Sequence, residues 1–233
     1  MINGLYGKLP AHGDFIQHNM PPEFVSVWDS WMQHAIMASQ EELGSRWLEL
    51  FLVSPVWRFA LSKGVIDDQH HWLGMMLPSV DSVGRYYPLT FAGKIAANMP
   101  LFRTIEVYEE WFGDIENIAL TSLQHGLRLE NIAGMMDKII IPEIDPLTAL
   151  GSSSRGSSQR FVSLSDGAEK LTGALSLFAD YFMAQTNKAS SVWWTSGSEH
   201  VAPMALVSDK LPKPVSYTAL LDGNWQNWYW DPM

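Results

Sequence analysis

Residues 4–16 constrain the fold more than any other stretch, because they begin as a short strand and then break into turn residues. Three glycines and Pro10 fall within ten positions of this segment. Glycine allows backbone conformations that other residues avoid, and proline holds the residue before it extended. Backbone geometry therefore sets the shape here, and three side chains are available for chemistry: Lys8, His12 and Asp14.

Residues 77–89 follow the same design. A strand ends at a proline, a polar turn follows, and a second strand begins. The turn carries Asp81 and Arg85, which we expect to pair as ions across it. We predict that the loops 7–15 and 79–88 lie close together at one end of a single sheet, because each follows a strand and both carry polar residues of opposite charge.

The composition limits the class of protein. With 233 residues and 47% hydrophobic content, the chain can bury a substantial core, as one large domain or two small ones. Its net charge of -10 argues against a nucleic-acid partner, because phosphate backbones are bound by basic surfaces. The sequence has no cysteine, which excludes a disulfide framework and a thiolate site and fits a reducing compartment.

The N-terminus and the apolar runs predict a cytoplasmic protein without a membrane span. No basic residue precedes Lys8, and turn residues interrupt the first segment before the apolar core of a secretory signal could form. The longest apolar runs, such as residues 201–207, fall far short of the ~20 residues that a membrane helix needs.

Hydrophobic periodicity predicts a mixed α/β architecture in which consecutive strands pair antiparallel. The predicted strands are 2–6, 57–61, 71–77, 89–95, 192–195 and 205–208. The predicted helices contain residues 24–35, 45–53, 105–119, 130–138 and 171–182. In the last helix, the apolar stripe is Leu171, Leu175, Phe178 and Phe182, and Asp166 with Glu169 resembles a capping box. A serine-rich stretch that is typical of a loop, residues 151–158, lies between the last two predicted helices.

The sequence shows no complete catalytic or metal-binding pattern. His70 and His71 are adjacent, so they point to opposite sides of a strand, and a zinc site needs three or four ligands. The serine-rich stretch lacks the G-x-S-x-G pattern of a nucleophile elbow, and no phosphate-binding loop occurs. We therefore expect no metal, no cofactor and no catalytic residue, although a triad assembled from distant residues stays open.

The motif loops carry the resemblance of this chain to a known family. The segments that carry it are YGKLPAHGDF at residues 6–15, PSVDSVGRYYPL at residues 78–89 and SVWWT at residues 191–195. Their order and spacing resemble the TagF family, also called ImpM, of bacterial type VI secretion-associated proteins.

This resemblance implies a fold, and the order of the predicted elements indicates a domain organisation. The fold is a three-layer α/β/α sandwich around one mixed, largely antiparallel sheet, with an N-terminal part that resembles the longin fold. We expect residues 1–233 to form a single domain. Its parts are a family core over 1–140, a Pro/Ser-rich loop over 141–160, and a helix and strands over 161–233 that complete the same sheet.

The resemblance also implies a function. Such a protein is a non-catalytic accessory that represses assembly of the secretion apparatus after translation, by binding the forkhead-associated scaffold protein of the system. The motif positions to which we assign a partner-binding, ligand-binding or purely structural role are Lys8, His12, Gly13, Asp14, Ser79, Asp81, Gly84, Arg85, Trp193 and Trp194.

A different function remains open on the residues alone. His12 and Asp14 could serve a hydrolase or a small-ligand enzyme, with Lys8 or Arg85 holding an anionic group. A deep cavity between the two loops would favour that reading. A packed edge, in which His12 and Asp14 form hydrogen bonds within their own turn, would disfavour it.

Overall fold

One antiparallel sheet organises the protein. The computed structural model describes residues 3–144, 171–186 and 188–233. Seven strands in these ranges form the sheet in the order β2-β1-β5-β4-β3-β6-β7, and every neighbouring pair is antiparallel. The strands are β1 (Asn3–Gly7), β2 (Ile16–His18), β3 (Trp57–Leu61), β4 (His70–Leu77), β5 (Leu89–Ala96), β6 (Ser190–Thr195) and β7 (Met204–Asp209).

The sheet agrees with the predicted α/β class and antiparallel pairing. All six strands predicted from periodicity are present, with small shifts of their ends. The short β2 was not predicted, because three residues are too few to show an alternating pattern. β6 pairs with β3 and β7 pairs with β6, so both C-terminal strands lie in the same sheet as the N-terminal ones. The longin-like character of the N-terminal part and the single-domain division stay predictions.

Helices cover both faces of the sheet, which confirms the three-layer sandwich. The helices are α1 (Pro22–Leu43), α2 (Trp47–Leu52), α3 (Leu101–Val107), α4 (Glu109–His125), α5 (Leu129–Met136), α6 (Leu171–Thr186) and α7 (Ala219–Asp222). Two buried clusters separate the layers. One joins α1, α2 and α7 to one face of the sheet, and the other joins α3, α4 and α5 to the opposite face.

α1 shows how the sequence positions a layer. Pro22 occupies the first turn, where its missing N–H costs nothing, and Gly44 follows the last turn with φ 53°. Phe24 and Trp28, one turn apart, are fully buried against the sheet. The indole of Trp28 donates a 3.0 Å hydrogen bond to Thr90 Oγ1 on β5. The apolar spacing that predicts a helix over residues 24–35 therefore marks the buried face of α1.

The predicted helix around residues 105–119 is two helices. The chain leaves helical geometry at Tyr108, which has φ -89° and ψ 15°, between α3 and α4. α3 packs against α6, whereas α4 packs against β4. One straight helix could not follow both neighbours, so the prediction of a single helix was wrong.

The apolar stripe predicted for α6 was wrong at Leu175 and Phe182. These two side chains are 55% and 66% exposed, and the buried positions of the helix include Gly173, Ala174 and Asp180. The Asp180 carboxylate accepts hydrogen bonds from the first backbone N–H groups of α3, at Phe102 (2.9 Å) and the next residue (3.0 Å). This buried polar contact turns α6 away from the predicted face. The capping box and residues 151–158 lie outside the described residues.

None of the described helices has both the length and the apolar character needed to span a bilayer.

The two adjacent histidines behave as predicted for neighbours on a strand. His70 Nδ1 lies 2.9 Å from Asp67 Oδ1, whereas His71 is buried and its Nδ1 accepts the backbone N–H of Lys63 at 2.9 Å. His71 Nε2 lies 3.2 Å from Ala97 O, so it carries the ring proton of the neutral imidazole and donates it.

Burial of His71 predicts a loss of stability in mild acid. Desolvation lowers its pKa to about 4, against about 6.5 in the unfolded chain. Between these values the unfolded state binds a proton that the folded state does not, so the free energy of unfolding should fall by roughly 3 kcal/mol as the pH drops from about 6.5 to about 4. Urea unfolding measured across this range gives the slope.

His71→Gln should be less stable at pH 7 but should lose most of that slope, because glutamine does not titrate. His125→Gln is the matched control, since His125 is exposed on α4. An unchanged slope in His71→Gln would assign the acid sensitivity to other groups.

Candidate functional site

The two motif loops meet where β1 and β5 end their pairing. Tyr6 lies opposite Thr90 in the register, and Gly7 follows with φ 140°. A Cβ atom on Gly7 would lie 2.3 Å from Pro88 O, so only glycine allows this approach of the two backbones. The first loop leaves the sheet directly beside the residues that lead the second loop into β5.

A buried ion pair joins the loops. Lys8 Nζ lies 2.8 Å from Asp81 Oδ2, and the side chains of Lys8 and Asp81 are 5% and 0% exposed. Beside this pair, Ser79 Oγ donates a 2.7 Å hydrogen bond to Lys8 O. The prediction that the loops lie together at one end of the sheet is therefore confirmed, and buried groups form part of the contact between them.

Arg85 completes the cluster from the outside. Its Nε donates to Asp81 Oδ2 at 2.7 Å, which confirms the predicted ion pair across the second turn. Its guanidinium also donates through Nη2 to Gly13 O on the first loop. The Arg85 side chain is 55% exposed, so it lies between the buried pair and the solvent.

Backbone hydrogen bonds hold the second turn in shape. Asp81 Oδ1 accepts the N–H groups of Val83 (3.1 Å) and Arg85 (2.9 Å), and Gly84 N–H donates to Asp81 O at 3.1 Å. Gly84 has φ 86°, a conformation that favours glycine. Ser82 N–H then donates to His12 O at 2.9 Å, which ties the turn to the first loop.

These contacts control the charge of Asp81. Burial by itself raises the pKa of this carboxyl, but the hydrogen bonds from Lys8, Arg85 and Val83 outweigh it and hold the pKa well below its usual range. The carboxylate is therefore ionised at neutral pH, which is the form that its donors stabilise.

His12 and Asp14 have different hydrogen-bond partners. His12 Nε2 accepts the backbone N–H of Leu129 at 3.1 Å, at the start of α5, while Asp14 Oδ1 accepts the N–H of Phe15 at 2.8 Å. Within the described residues, no hydrogen bond joins His12 to Asp14. Asp14 bonds within its own turn as predicted, but the prediction was wrong for the His12 side chain. The first N–H groups of a helix lack intrahelical partners, and His12 supplies an acceptor to one of them.

A cluster of three aromatic rings supports the first loop, and Asp29 accepts hydrogen bonds from two of them. Sequence analysis did not identify Asp29. Phe15 stacks on Tyr6 at 5.5 Å between ring centroids and meets Tyr87 edge-on at 4.8 Å. The hydroxyls of Tyr6 and Tyr87 each donate a 2.9 Å hydrogen bond to Asp29 Oδ1 on α1. Burial and the neighbouring Asp29 carboxylate raise the pKa of both tyrosines, so both stay protonated donors. Asp29 gave no sequence signal, since a lone acid on a helix is usually solvated.

Trp193 and Trp194 lie on β6, the first in the core and the second partly buried against it. Trp193 is fully buried and its indole donates to Ser191 Oγ at 2.8 Å. Trp194 faces the opposite layer, with its ring 5.0 Å from that of Phe112. The third motif segment therefore packs both faces of the sheet and does not join the two loops.

The motif loops form a packed edge. A cavity of about 450 Å³ lies between His71 and Asp180, and a groove of about 530 Å³ lies beside β7. Neither is lined by a residue of loops 7–15 or 79–88. Among the described residues, no group of three His, Cys, Asp or Glu side chains is placed to hold a metal ion.

The Lys8–Asp81 pair predicts a ranking of variants. Lys8→Met should lower the melting temperature roughly twice as much as Arg85→Met, because a buried carboxylate that loses its buried partner is costlier than one that loses a solvated partner. Lys210→Met, at an exposed lysine, is the control. Calorimetry gives the ranking, and the double variant Lys8→Met/Asp81→Asn should recover part of the loss. A double variant no more stable than Lys8→Met would exclude the buried charge as the cause.

The bond from Leu129 to His12 predicts a local effect. His12→Ala should cost about 1 kcal/mol, the usual cost of losing a helix-capping acceptor, and should speed hydrogen exchange at the Leu129 amide. Asp14→Ala, two residues away and exposed, is the matched control and should leave that amide protected. Equal exchange in the two variants would contradict the capping role of His12.

Comparison with known proteins agrees with this geometry. The family profile of the TagF N-terminal domain, type VI secretion system-associated, matches residues 4–139, which is more than half of the chain and includes both motif loops. The crystal structure of PA0076 from Pseudomonas aeruginosa PAO1 is similar at a TM-score of 0.77 and 30% sequence identity, over 96% of this chain and 95% of that one. None of the curated proteins matches. The chain therefore belongs to the TagF family of type VI secretion system-associated proteins.

Proposed function

We propose that this protein is a non-catalytic, cytoplasmic repressor of type VI secretion, which blocks assembly of the apparatus after translation by binding the forkhead-associated scaffold protein of the system. The observation that carries the proposal is membership of the TagF family over residues 4–139. The partner and the direction of control come from the family resemblance of the two motifs, and the geometry of the loops supports a protein-binding role.

The tip of the loop pair has the properties of a contact surface. Val83 is 66% exposed and Phe15 is 41% exposed, and the charged side chains of Asp14 and Arg85 stand beside them. The ion pair and backbone hydrogen bonds beneath hold this tip in one conformation. A pre-ordered surface loses little conformational entropy on binding, which favours recognition of a protein partner.

The enzyme alternative has less support from the same contacts. Lys8, which would hold an anionic group, is 4% exposed and already paired. His12, the candidate base, uses Nε2 to accept a backbone N–H. A catalytic group must reach a bound substrate, and a packed edge offers these two residues less access than a cavity would.

Binding without turnover predicts stoichiometric repression. When expression of this protein is titrated in the native bacterium, secretion should fall in proportion to its ratio to the scaffold protein and should stop near equivalence. Quantitative immunoblots of both proteins, together with secretion of a reporter effector, give the curve. Full repression at a small fraction of one copy per scaffold, lost in a His12→Ala or Asp14→Ala variant that still binds, would favour the enzyme.

The same assay tests the proposed surface. Val83→Glu should weaken scaffold binding and release secretion, because it places a charge at the exposed apolar tip without disturbing the buried pair. Met37→Glu makes the same kind of change on α1, where Met37 is 67% exposed, and should leave repression intact. Equal repression by both variants would show that the scaffold protein contacts a surface other than the loop tip.

A further inference from the structure

The two edges of the sheet are built differently. β2 is three residues long and faces α5, so this edge offers little backbone to another chain. β7 is six residues long, and its sequence MALVSD has one charge, at its last residue, and no proline, lysine or bulge that would protect an edge. Within the described residues, one edge is therefore short and covered by a helix, and the other is long with little charge.

The register shows which groups of β7 are unpaired. Lys210 N–H donates to Ala189 O at 3.0 Å, and Ser190 lies opposite Asp209. Hydrogen-bonded residues alternate along an antiparallel strand, so residues 204, 206 and 208 bond β6 and Ala205 and Val207 point their N–H and C=O groups outward. In the described part of the chain, no hydrogen bond reaches these outward groups from outside the sheet.

A groove runs along this edge. Its wall contains four successive strand residues, 204–207, although successive side chains point to opposite faces of a sheet. A groove that touches all four therefore follows the backbone edge itself. The opposite wall includes Trp225 and Trp230, whose rings meet edge-on with centroids 6.3 Å apart. The indole N–H of Trp225 has no hydrogen-bond partner among the described residues.

The charged side chain that lines the groove is acidic. Asp231 is the only charged side chain among the described residues that line it; at the end of the strand, outside the groove, Asp209 is followed by the exposed Lys210. The whole chain carries a net charge of -10. Tryptophan faces also attract ammonium and guanidinium groups. These features complement a ligand that has apolar side chains together with lysine or arginine.

We infer that the outer edge of β7 is a docking site for an extended peptide segment of a partner protein. The segment adds as an eighth strand, pairs with the outward groups of Ala205 and Val207, and places alternate apolar side chains against Trp225 and Trp230. A basic residue in the segment meets Asp231. The inference rests on the sheet edge alone and does not depend on the proposed repressor function.

A display library of random peptides about 12 residues long, selected on the purified protein and counter-selected on Val207→Pro, tests this docking site. Proline removes the outward N–H of Val207 and leaves the ladder to β6 intact. Selected peptides should alternate apolar residues and carry lysine or arginine, and should bind Val207→Pro about tenfold more weakly. Val207→Thr, which keeps the N–H, is the control and should bind like the wild type.

A second measurement avoids any folding defect of the proline variant. A selected peptide, N-methylated at one residue at a time, should lose binding to the wild-type protein at alternate positions only, since only alternate N–H groups face β7. The docking site would be overturned if N-methylation weakened binding at no position of the peptide. It would also be overturned if no selected peptide family distinguished the wild type from Val207→Pro. Sedimentation that shows a dimer for the wild type and a monomer for Val207→Pro would also overturn the peptide site, because a second copy of this chain would then occupy the edge.

Discussion

The buried carboxylate of Asp81 is the constraint on which the motif end of the sheet depends. A charge removed from water is tolerated only when donors and an opposite charge surround it. Asp81 draws these donors from two places, its own turn and Lys8, which lies 73 residues earlier in the chain. Beyond the β1–β5 ladder, no strand pairing among the described residues joins the two loops, so this pair continues the contact where the sheet ends.

The layers of the sandwich are held in place by directional contacts as well as by apolar burial. Apolar packing alone allows a helix to slide along a sheet, because it has little directional preference. The buried indoles remove that freedom. Trp28 donates to Thr90 on β5, Trp31 donates to Pro212 O at 2.8 Å, and Trp57 donates to Leu220 O at 3.0 Å. The last two bonds attach the C-terminal segment to α1 and β3, residues far apart in sequence.

Local patterns in the sequence predicted much of the fold. The strands of the sheet and the buried face of α1 follow from periodicity, and the Asp81–Arg85 pair follows from a spacing of four residues in one turn. What periodicity missed depends on distant partners. The helix break at Tyr108 and the altered face of α6 both arise where α3 meets α6, and Asp180 carries no pattern that announces a contact with Phe102.

The site was predictable to the same degree. The two motifs identified both loops and their mutual approach, because turn residues and charges are visible in sequence. The sequence did not show that Lys8 is the buried partner of Asp81, since a lysine so deeply buried is rare and its partner was distant. It also did not show that His12 caps α5, because that role depends on where Leu129 lies in space.

Charge acts differently at the two surfaces proposed for binding. The Lys8–Asp81 pair beneath the loop tip is buried, and salt screens buried pairs much less than exposed ones. The tip should therefore keep its geometry as ionic strength rises. At the β7 edge the acidic groups are exposed, so salt weakens their attraction for a basic segment while the backbone pairing and the apolar groove remain. Affinity at β7 therefore divides into a salt-dependent part that attracts the segment and a salt-independent part that holds it.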